Sequence, residues 1–202
     1  MIWLVLAIVA WGAVHSWLAS LGVKAWFRRA FGEPAARTYR LAYNVFSVAS
    51  LAPILYLLRI LPDRLLYSAQ GPWLIVMLAG QVLALVCLFI ALLQTDTLSF
   101  VGLRQLFSGD PPARFVKTGF YRWVRHPLYL FGLLLLWLTP RMTLNMLVAY
   151  FALTVYIFVG VLFEERKLLR EFGSAYAEYR SRTPMILPFP FRRVPQSPPP
   201  HT

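Results

Sequence analysis

The chain has 202 residues, enough for one domain, and combines 59% hydrophobic residues with only 14% charged residues. Soluble domains average about 45–50% apolar and about 25% charged residues, so a soluble enzyme, a disordered chain and a disulfide scaffold are all disfavoured. The net charge of +12 would raise the question of nucleic acid binding in a soluble chain. The composition predicts an integral membrane protein. The single cysteine, Cys87, lies in an apolar run, so we expect no disulfide and no cysteine-bound metal.

Five apolar runs predict an all-α polytopic fold with about five transmembrane helices. They cover residues 1–23, 43–61, 72–94, 128–140 and 144–163. Three runs are near the roughly 20 residues that cross a hydrocarbon core, whereas 43–61 is marginal and 128–140 is short. We expect one domain over residues 1–194. The proline-rich end, 195–202, is predicted to be disordered.

The basic residues predict the orientation in the membrane. The chain has 20 Lys and Arg residues, and 17 of them lie in three segments: between the first and second runs, between the third and fourth runs, and after the fifth run. The other three are Arg59, Arg64 and Arg141. Because cytoplasmic loops collect Lys and Arg, this distribution predicts the N-terminus outside and the tail inside, in a membrane that we expect to be the bacterial inner membrane. The excess charge then has anionic headgroups of the membrane lipids as its partner rather than nucleic acid.

The last two apolar runs are separated only by residues 141–143, so we expect an antiparallel helical hairpin. Apolar residues continue at three- and four-residue spacing beyond Phe163, which predicts an amphipathic helix over the cytoplasmic face. Gly173 is a candidate interruption of this helix. The more polar segment 96–107 is expected to lie at the membrane interface.

The hairpin brings two polar clusters to the same membrane face. One is the segment 121–129, which contains Arg125, His126 and Tyr129, and the other is Glu164-Glu165. Each cluster alone has an ordinary structural explanation, as interface anchors or as a solvated helix face. Together they predict a polar pocket, because a carboxylate at the edge of the hydrocarbon region has an unfavourable free energy unless it is paired or faces water.

Two further residues, His15 and Ser16, lie in the first apolar run. They are consistent either with hydrogen bonds between helices or with a role in the pocket.

The order of several motifs resembles the membrane methyltransferase superfamily, which contains isoprenylcysteine carboxyl methyltransferases and phospholipid N-methyltransferases. The motifs are Val124-Arg125-His126-Pro127-Leu128-Tyr129, Phe163-Glu164-Glu165, Phe172-Gly173, Tyr176, Tyr179-Arg180 and Pro184. Segments 100–105, 117–122, 137–143 and 184–188 are most similar to bacterial methanethiol S-methyltransferases. His15-Ser16, Lys24, Arg40 and Tyr43-Asn44 are similar to NnrU-like membrane proteins.

This resemblance implies S-adenosylmethionine (AdoMet) as the methyl donor, bound near the cytoplasmic ends of the last helices. The cofactor-binding residues that it implies are His126, Pro127, Tyr129, Glu164, Glu165, Tyr176 and Tyr179. The catalytic candidates are Arg125, Glu164 and Arg122, and the substrate candidates are His15, Ser16 and Arg104. A thiol must react as its thiolate, so an arginine near the acceptor would favour the reaction.

The sequence therefore predicts an AdoMet-dependent methyltransferase acting on a small or lipid-like acceptor: a thiol, a prenylcysteine carboxylate or a lipid amine. The sequence departs from the family pattern in two places. Phe131 stands where the family often has glycine, and Thr97 and Ser99 occupy a region where thiol-methylating relatives tend to carry a His-Phe pair. The alternatives are a nicotinamide-dependent reductase of the sterol type and a membrane accessory or assembly factor of the NnrU type.

Overall fold

A computed structural model describes residues 1–108 and 115–188, and the predicted disordered end, 195–202, lies outside the described residues. The helices are α1 (Ile2–Ala19), α2 (Leu21–Ala49), α3 (Ala52–Ile60), α4 (Pro72–Leu93), α5 (Thr97–Val101), α6 (Leu103–Ser108), α7 (Pro127–Trp137) and α8 (Leu144–Arg182). Two short strands, β1 (Leu65–Ser68) and β2 (Arg141–Thr143), and a 3-10 helix over Gly119–Arg122 complete the described fold.

The all-α membrane fold is confirmed. Four stretches of the described chain are long and apolar enough to cross a membrane: Ile2–Ala19, Leu21–Ile60, Pro72–Leu93 and Leu144–Arg182. The fourth predicted run becomes the shorter apolar helix α7, which begins at Pro127 and has 11 residues. Proline is favoured at this first helical position because its missing N–H has no intrahelical partner there.

The basic segment after α1 differs from the sequence prediction. It was expected to be a loop between apolar runs, but α2 extends through it from Leu21 to Ala49. The Ser20 hydroxyl accepts from the Val23 amide and so caps the start of α2. Gly32, with φ of 79°, bends α2 in the middle, and the phenyl ring of Phe27 contacts Tyr39 across this bend at 4.9 Å between ring centroids. The bend therefore folds the two halves of α2 towards each other.

A two-stranded antiparallel ribbon, which the sequence analysis did not predict, joins the ends of the bundle away from residues 164–165. Leu65 pairs with Thr143, and Ser68 pairs with Arg141. The Asp63 carboxylate accepts from the Asn145 amide at 3.0 Å, and the Thr143 hydroxyl accepts from the Met146 amide at 3.3 Å. Both acceptors satisfy amides at the start of α8, which have no partner within the helix.

Helices α7 and α8 form the predicted antiparallel hairpin. The Trp137 indole donates to the Thr154 hydroxyl at 3.0 Å near one end of the hairpin, and the Tyr129 phenol donates to Glu164 at 3.0 Å near the other end. Gln81 of α4 donates to the carbonyl of Leu135, which ties α4 to the same hairpin. This arrangement carries residues 125–129 to the level of residues 164–165.

The N-terminal helix contacts α8 and α2 through polar and aromatic side chains. The Ser16 hydroxyl lies 3.1 Å from the Tyr156 hydroxyl, and the His15 Nε2 atom lies 2.6 Å from the Tyr43 hydroxyl. Trp11 stacks on the His15 ring at 4.9 Å. These contacts correspond to the helix-to-helix hydrogen bonding that was one of the two interpretations of His15 and Ser16.

Candidate active site

A cavity of about 880 Å³ opens where α2, α5, α6, α7 and α8 meet. Its walls include Arg125, His126, Tyr129 and Glu164 on one side, and Arg40, Asp96, Ser99 and Gln105 on another. The volume is in the range of about 300–1,000 Å³ that small-molecule and cofactor sites occupy. Polar residues from distant parts of the chain therefore share one concave site.

The centre of the first wall is a buried ion pair between Arg125 and Glu165. The Arg125 Nε atom donates to Glu165 Oε1 at 2.8 Å, and the Nη2 atom donates to Oε2 at 3.0 Å. The Nη1 atom donates to the carbonyls of Arg180 and Thr183 at 2.9 and 2.6 Å. The side chains of Arg125 and Glu165 are 9% and 6% exposed. Because the guanidinium donates to four acceptors, this arginine holds the ends of α7 and α8 together.

Glu165 collects further donors from its neighbours. The His126 Nε2 atom lies 2.8 Å from Glu165 Oε1, and the Tyr176 hydroxyl donates to the same oxygen at 2.6 Å. His126 and Tyr176 are both buried. A buried carboxylate needs this degree of satisfaction, since an uncompensated charge in a protein interior is costly. Glu165 therefore forms the centre of a closed network.

Glu164 has a different environment, although it is the next residue in the chain. Its side chain is 42% exposed, and its Oε2 atom accepts from the Tyr129 hydroxyl at 3.0 Å and lies 3.7 Å from His126 Nδ1. Glu164 lines the cavity. The carboxylate is thus oriented by Tyr129 and keeps acceptor capacity for a ligand.

Backbone contacts fix the segment that precedes α7. The Arg125 amide donates to the carbonyl of Pro184 at 2.8 Å, and the His126 amide donates to the carbonyl of Met185 at 3.0 Å. The Tyr179 hydroxyl donates to the carbonyl of Tyr121. The end of α8 and the residues that follow it therefore lock the Arg-His-Pro segment in place, and the kink at Gly173, with φ of 53°, directs them there.

Tyr121 is a neutral member of this wall. Its burial, reinforced by the charge of Glu164, raises the pKa of the Tyr121 phenol above its ordinary value. The phenol therefore stays protonated at physiological pH and is able to donate a hydrogen bond.

The opposite wall is an elbow formed by α5 and α6. Asp96 caps α5 by accepting from the Ser99 amide and the Ser99 hydroxyl, at 3.2 and 2.8 Å. Arg104 lies 3.0 Å from the same carboxylate. The Gln105 side chain is buried, and its Nε2 atom donates to the carbonyl of Ser99 at 3.3 Å. Its Oε1 atom is buried and has no hydrogen-bond partner within the described part of the chain.

The elbow is anchored to the second half of α2. The Asn44 amide donates to the carbonyls of Phe100 and Val101 at 3.1 and 2.7 Å. Gly102 joins α5 to α6 with φ of 99°, and a Cβ atom at this position would lie 2.6 Å from the Leu41 nitrogen and 2.9 Å from the Arg40 carbonyl carbon. The Arg40 backbone therefore contacts the elbow directly.

The structure brings together most, but not all, of the residues singled out from the sequence. Arg125, His126, Tyr129, Glu164, Tyr176 and Tyr179 line the cavity, and Pro127 and Glu165 lie buried beside it. Arg122 is exposed at the end of the 3-10 helix and does not line the cavity. His15 and Ser16 lie away from it, and Arg104 is not part of its lining but contacts Asp96, which is.

Gln105, Asp96 and the basic residues of α2 are cavity residues that were not assigned to the pocket from the sequence. The one signal available was polarity. Segment 96–107 is too polar to span a membrane, and this was interpreted only as an interfacial position.

In the part of the chain that the structure describes, no group of three His, Cys, Asp or Glu side chains is arranged to hold a metal ion.

The fold and the site define a helical membrane protein with a polar, cofactor-sized cavity at one end of its bundle. The family model described as "NnrU protein" matches residues 3–190. The chain therefore belongs to the NnrU family. No solved structure matches the chain.

Curated relatives of the chain carry methyltransferase names. It is 32% identical to methanethiol S-methyltransferase 1 of Bradyrhizobium diazoefficiens, over 87% of this chain and 62% of that protein. It is 33% identical to methanethiol S-methyltransferase of Mycobacterium tuberculosis, over 89% and 75%. A shorter match, 35% identical over 37% of this chain and 32% of the relative, is the protein-S-isoprenylcysteine O-methyltransferase of Saccharomyces cerevisiae. The predicted resemblance to the membrane methyltransferase superfamily is confirmed.

Proposed function

We propose that this protein is an AdoMet-dependent membrane methyltransferase that acts on a small thiol or lipid-like acceptor. The observation that carries the proposal is the paired arrangement of Glu164 and Glu165. One carboxylate is sealed by Arg125, and the other faces the cavity beside Tyr129. The names of the relatives support methyl transfer as the reaction.

The residues present fit AdoMet. The donor is a cation at sulfur and carries an amino group, hydroxyl groups and a carboxylate, so it needs acceptors, cations and aromatic surface in one cavity. Glu164 offers an oriented carboxylate, and Tyr129 offers a ring that is able to attract a cation. Gln105 offers a buried acceptor that has no partner among the residues that the structure describes. When bound, AdoMet supplies an electrophilic methyl group on a positively charged sulfur.

The residues of this chain would contribute by binding and alignment. Glu164 and Tyr129 would hold the donor, and His126 would lie beside them with its Nδ1 atom 3.7 Å from Glu164 Oε2. Arg125, Glu165, Tyr176, Tyr179 and Pro127 would fix the shape of that wall. Positioning of this kind supplies about 7–11 kcal/mol in well-oriented intramolecular reactions, which is the main requirement of an in-line methyl transfer.

The acceptor would enter the same cavity. A thiol acceptor reacts as its thiolate. Arg125 lines the cavity but its charge is paired with Glu165, whereas Arg40 and Lys167 are further cations on the cavity walls. They would favour the anion over the neutral thiol. A prenylcysteine carboxylate would use the same cations, whereas a lipid amine would rely on the carboxylates. Arg122, Arg104, His15 and Ser16 lie outside the cavity lining, so a contribution from them to the acceptor site would be indirect.

The position of the site agrees with a cytoplasmic location. Basic side chains surround the cavity end of the bundle, and Arg141 and Arg64 flank the ribbon at its other end. By the positive-inside rule, the active site and the tail would face the cytoplasm of a bacterium, and the N-terminus would lie outside.

Calorimetric binding of AdoMet and NADPH to the purified full chain in detergent micelles tests the proposal. We expect AdoMet to bind, and Glu164→Gln to weaken that binding at least tenfold. Glu178→Gln is the matched control, because Glu178 is exposed and pairs with Arg182 outside the cavity. Binding of NADPH without AdoMet would indicate the reductase alternative. Binding of neither would favour an accessory factor and contradict the proposal.

A further inference from the structure

The elbow wall of the cavity, formed by α5 and α6 and anchored to α2, contains a buried polar atom whose partner the proposed function does not specify. Gln105 is 2% exposed, and its Oε1 atom is buried without a hydrogen-bond partner among residues 1–108 and 115–188. Its amide is held in place because Nε2 donates to the Ser99 carbonyl. Leaving a buried acceptor unsatisfied costs about 1–3 kcal/mol. A ligand group that donates an N–H or O–H would remove this cost.

Cations lie on the same side of the cavity. Arg40 lines it, and the elbow contacts the Arg40 backbone at Gly102. Among the described residues, no carboxylate forms an ion pair with Arg40. The bend at Gly32 brings the first half of α2 to the cavity as well, so that Lys24 and Arg28 also line it. Arg28 also lies 3.3 Å from Glu33, and Asp96 on the same wall is contacted by Arg104 and Ser99. The wall therefore combines the Gln105 acceptor with several cations and one carboxylate that already has donors.

We infer that this wall is a subsite for an α-aminocarboxylate, with Gln105 Oε1 accepting from the ammonium group and Arg40 binding the carboxylate. In such a ligand the ammonium and the carboxylate are attached to the same carbon, so a wall that offers an acceptor and a cation complements both groups at once. This inference rests on the proposed function, since the same cavity would hold the methyl donor. Two ligands could supply the group: the methionyl end of the donor, or an acceptor that is itself an amino-acid thiol.

The location gives the subsite a role in positioning. Glu164 and Tyr129 lie on the wall formed by α7 and α8, and Gln105 lies on the elbow that faces the same cavity. A ligand held at both walls would be fixed at two points. The reacting atoms between them would then be held in register, which is the requirement for in-line transfer.

Calorimetric titration with three probes separates the possibilities. S-adenosylhomocysteine carries the aminocarboxylate, methylthioadenosine is the matched nucleoside without it, and L-homocysteine is the amino-acid thiol alone. The variants are Gln105→Leu and Arg40→Gln. Their matched controls are Gln70→Leu and Arg37→Gln, at exposed positions outside the cavity.

We expect Gln105→Leu and Arg40→Gln each to weaken the binding of S-adenosylhomocysteine by about tenfold or more, as for the loss of a hydrogen bond to a charged group. The affinity for methylthioadenosine should change less than twofold. Unchanged methylthioadenosine binding also shows that the variants are folded. If the losses appear only with L-homocysteine, titrated in the presence of methylthioadenosine, the subsite belongs to the acceptor.

Two results would overturn the inference. One is unchanged binding of both amino-acid probes in both variants. The other is an equal loss for methylthioadenosine and S-adenosylhomocysteine, which would put Gln105 at the nucleoside end. If wild-type protein binds neither nucleoside, the proposed function fails, and the L-homocysteine titration still decides the subsite by itself.

Discussion

Arg125 and Glu165 form a bidentate ion pair between the start of α7 and the middle of α8, with nitrogen-to-oxygen distances of 2.8 and 3.0 Å. The planar guanidinium matches the carboxylate geometry, and the remaining Arg125 donors bind the carbonyls of Arg180 and Thr183. One side chain thus connects α7, α8 and the segment that follows α8. Stability and ligand binding should therefore be separable between Glu165 and Glu164.

Replacement of Glu165 tests the structural half of this division. Glu165→Gln leaves the buried Arg125 without its counter-charge, and removing one partner of a buried pair typically costs about 3–5 kcal/mol. We expect a large fall in the thermal unfolding midpoint in detergent. Glu178→Gln removes a pair whose side chains are 66% and 61% exposed, and it should change the midpoint little. Equal midpoints for the two variants would contradict the scaffold role of Glu165.

Replacement of Tyr129 tests the ligand-binding half. Tyr129→Phe removes the hydroxyl that donates to Glu164 at 3.0 Å and keeps the ring. A typical hydrogen bond contributes about 0.5–1.5 kcal/mol, so we expect AdoMet binding to weaken by about twofold to tenfold. Tyr150→Phe is the control, because the Tyr150 hydroxyl contacts Thr139 outside the cavity. A Tyr129→Phe protein with unchanged affinity would show that Tyr129 does not orient Glu164 for the ligand.

Much of the site could be predicted because it follows from helix ends. Arg125-His126-Pro127 begins one apolar helix and Glu164-Glu165 follows the apolar part of the next, so a short connection suffices to bring them together. Adjacent helical residues point to different sides, so Glu164 and Glu165 were bound to have different partners. The sequence alone does not show which of the two faces Arg125. That division depends on the rotation of α8 against α7.

The parts that could not be predicted depend on backbone geometry rather than on hydropathy. Gly32 bends α2, and the basic residues around it have no apolar periodicity that would have indicated a helix. Strands β1 and β2 have only four and three residues, too few for an alternating pattern. Gly102 gives no signal in sequence of its contact with Arg40, which arises from tertiary packing.

The ribbon end of the bundle offers a pH-dependent test at Asp63. Burial alone would raise the pKa of Asp63, but hydrogen bonds from the Thr143 hydroxyl and from the amides of Asn145, Arg64 and Leu144 outweigh it and lower the pKa below its ordinary value of 3.8. A lowered pKa in the folded state means that the carboxylate stabilises the fold above the unfolded-state pKa. This contribution is lost as the pH falls through the folded-state pKa.

We therefore expect the wild type to have a higher unfolding midpoint than Asp63→Asn at neutral pH. The difference should be constant down to about pH 4 and shrink below it. Taking the difference between the two proteins cancels the titration of the other carboxylates. A difference that persists unchanged through the acid range would show that the charge of Asp63 is not what stabilises the start of α8.

Gly102 provides the most direct test of the elbow that carries Gln105. Alanine here would adopt a positive φ of 99° with its Cβ atom 2.6 Å from the Leu41 nitrogen, and the backbone of α2 cannot move aside as a flexible side chain would. Strain in such a backbone region costs about 1–3 kcal/mol, and the clash adds to it. We expect Gly102→Ala to lower the unfolding midpoint and to weaken the binding of S-adenosylhomocysteine by displacing the elbow.

Gly22→Ala is the control. Gly22 lies in α2, and none of the described atoms would lie within 4 Å of the added Cβ. Alanine in a helix is favoured over glycine by about 0.5–1 kcal/mol. If Gly102→Ala is as stable and binds as tightly as Gly22→Ala, the close contact between the elbow and α2 does not hold the elbow in place.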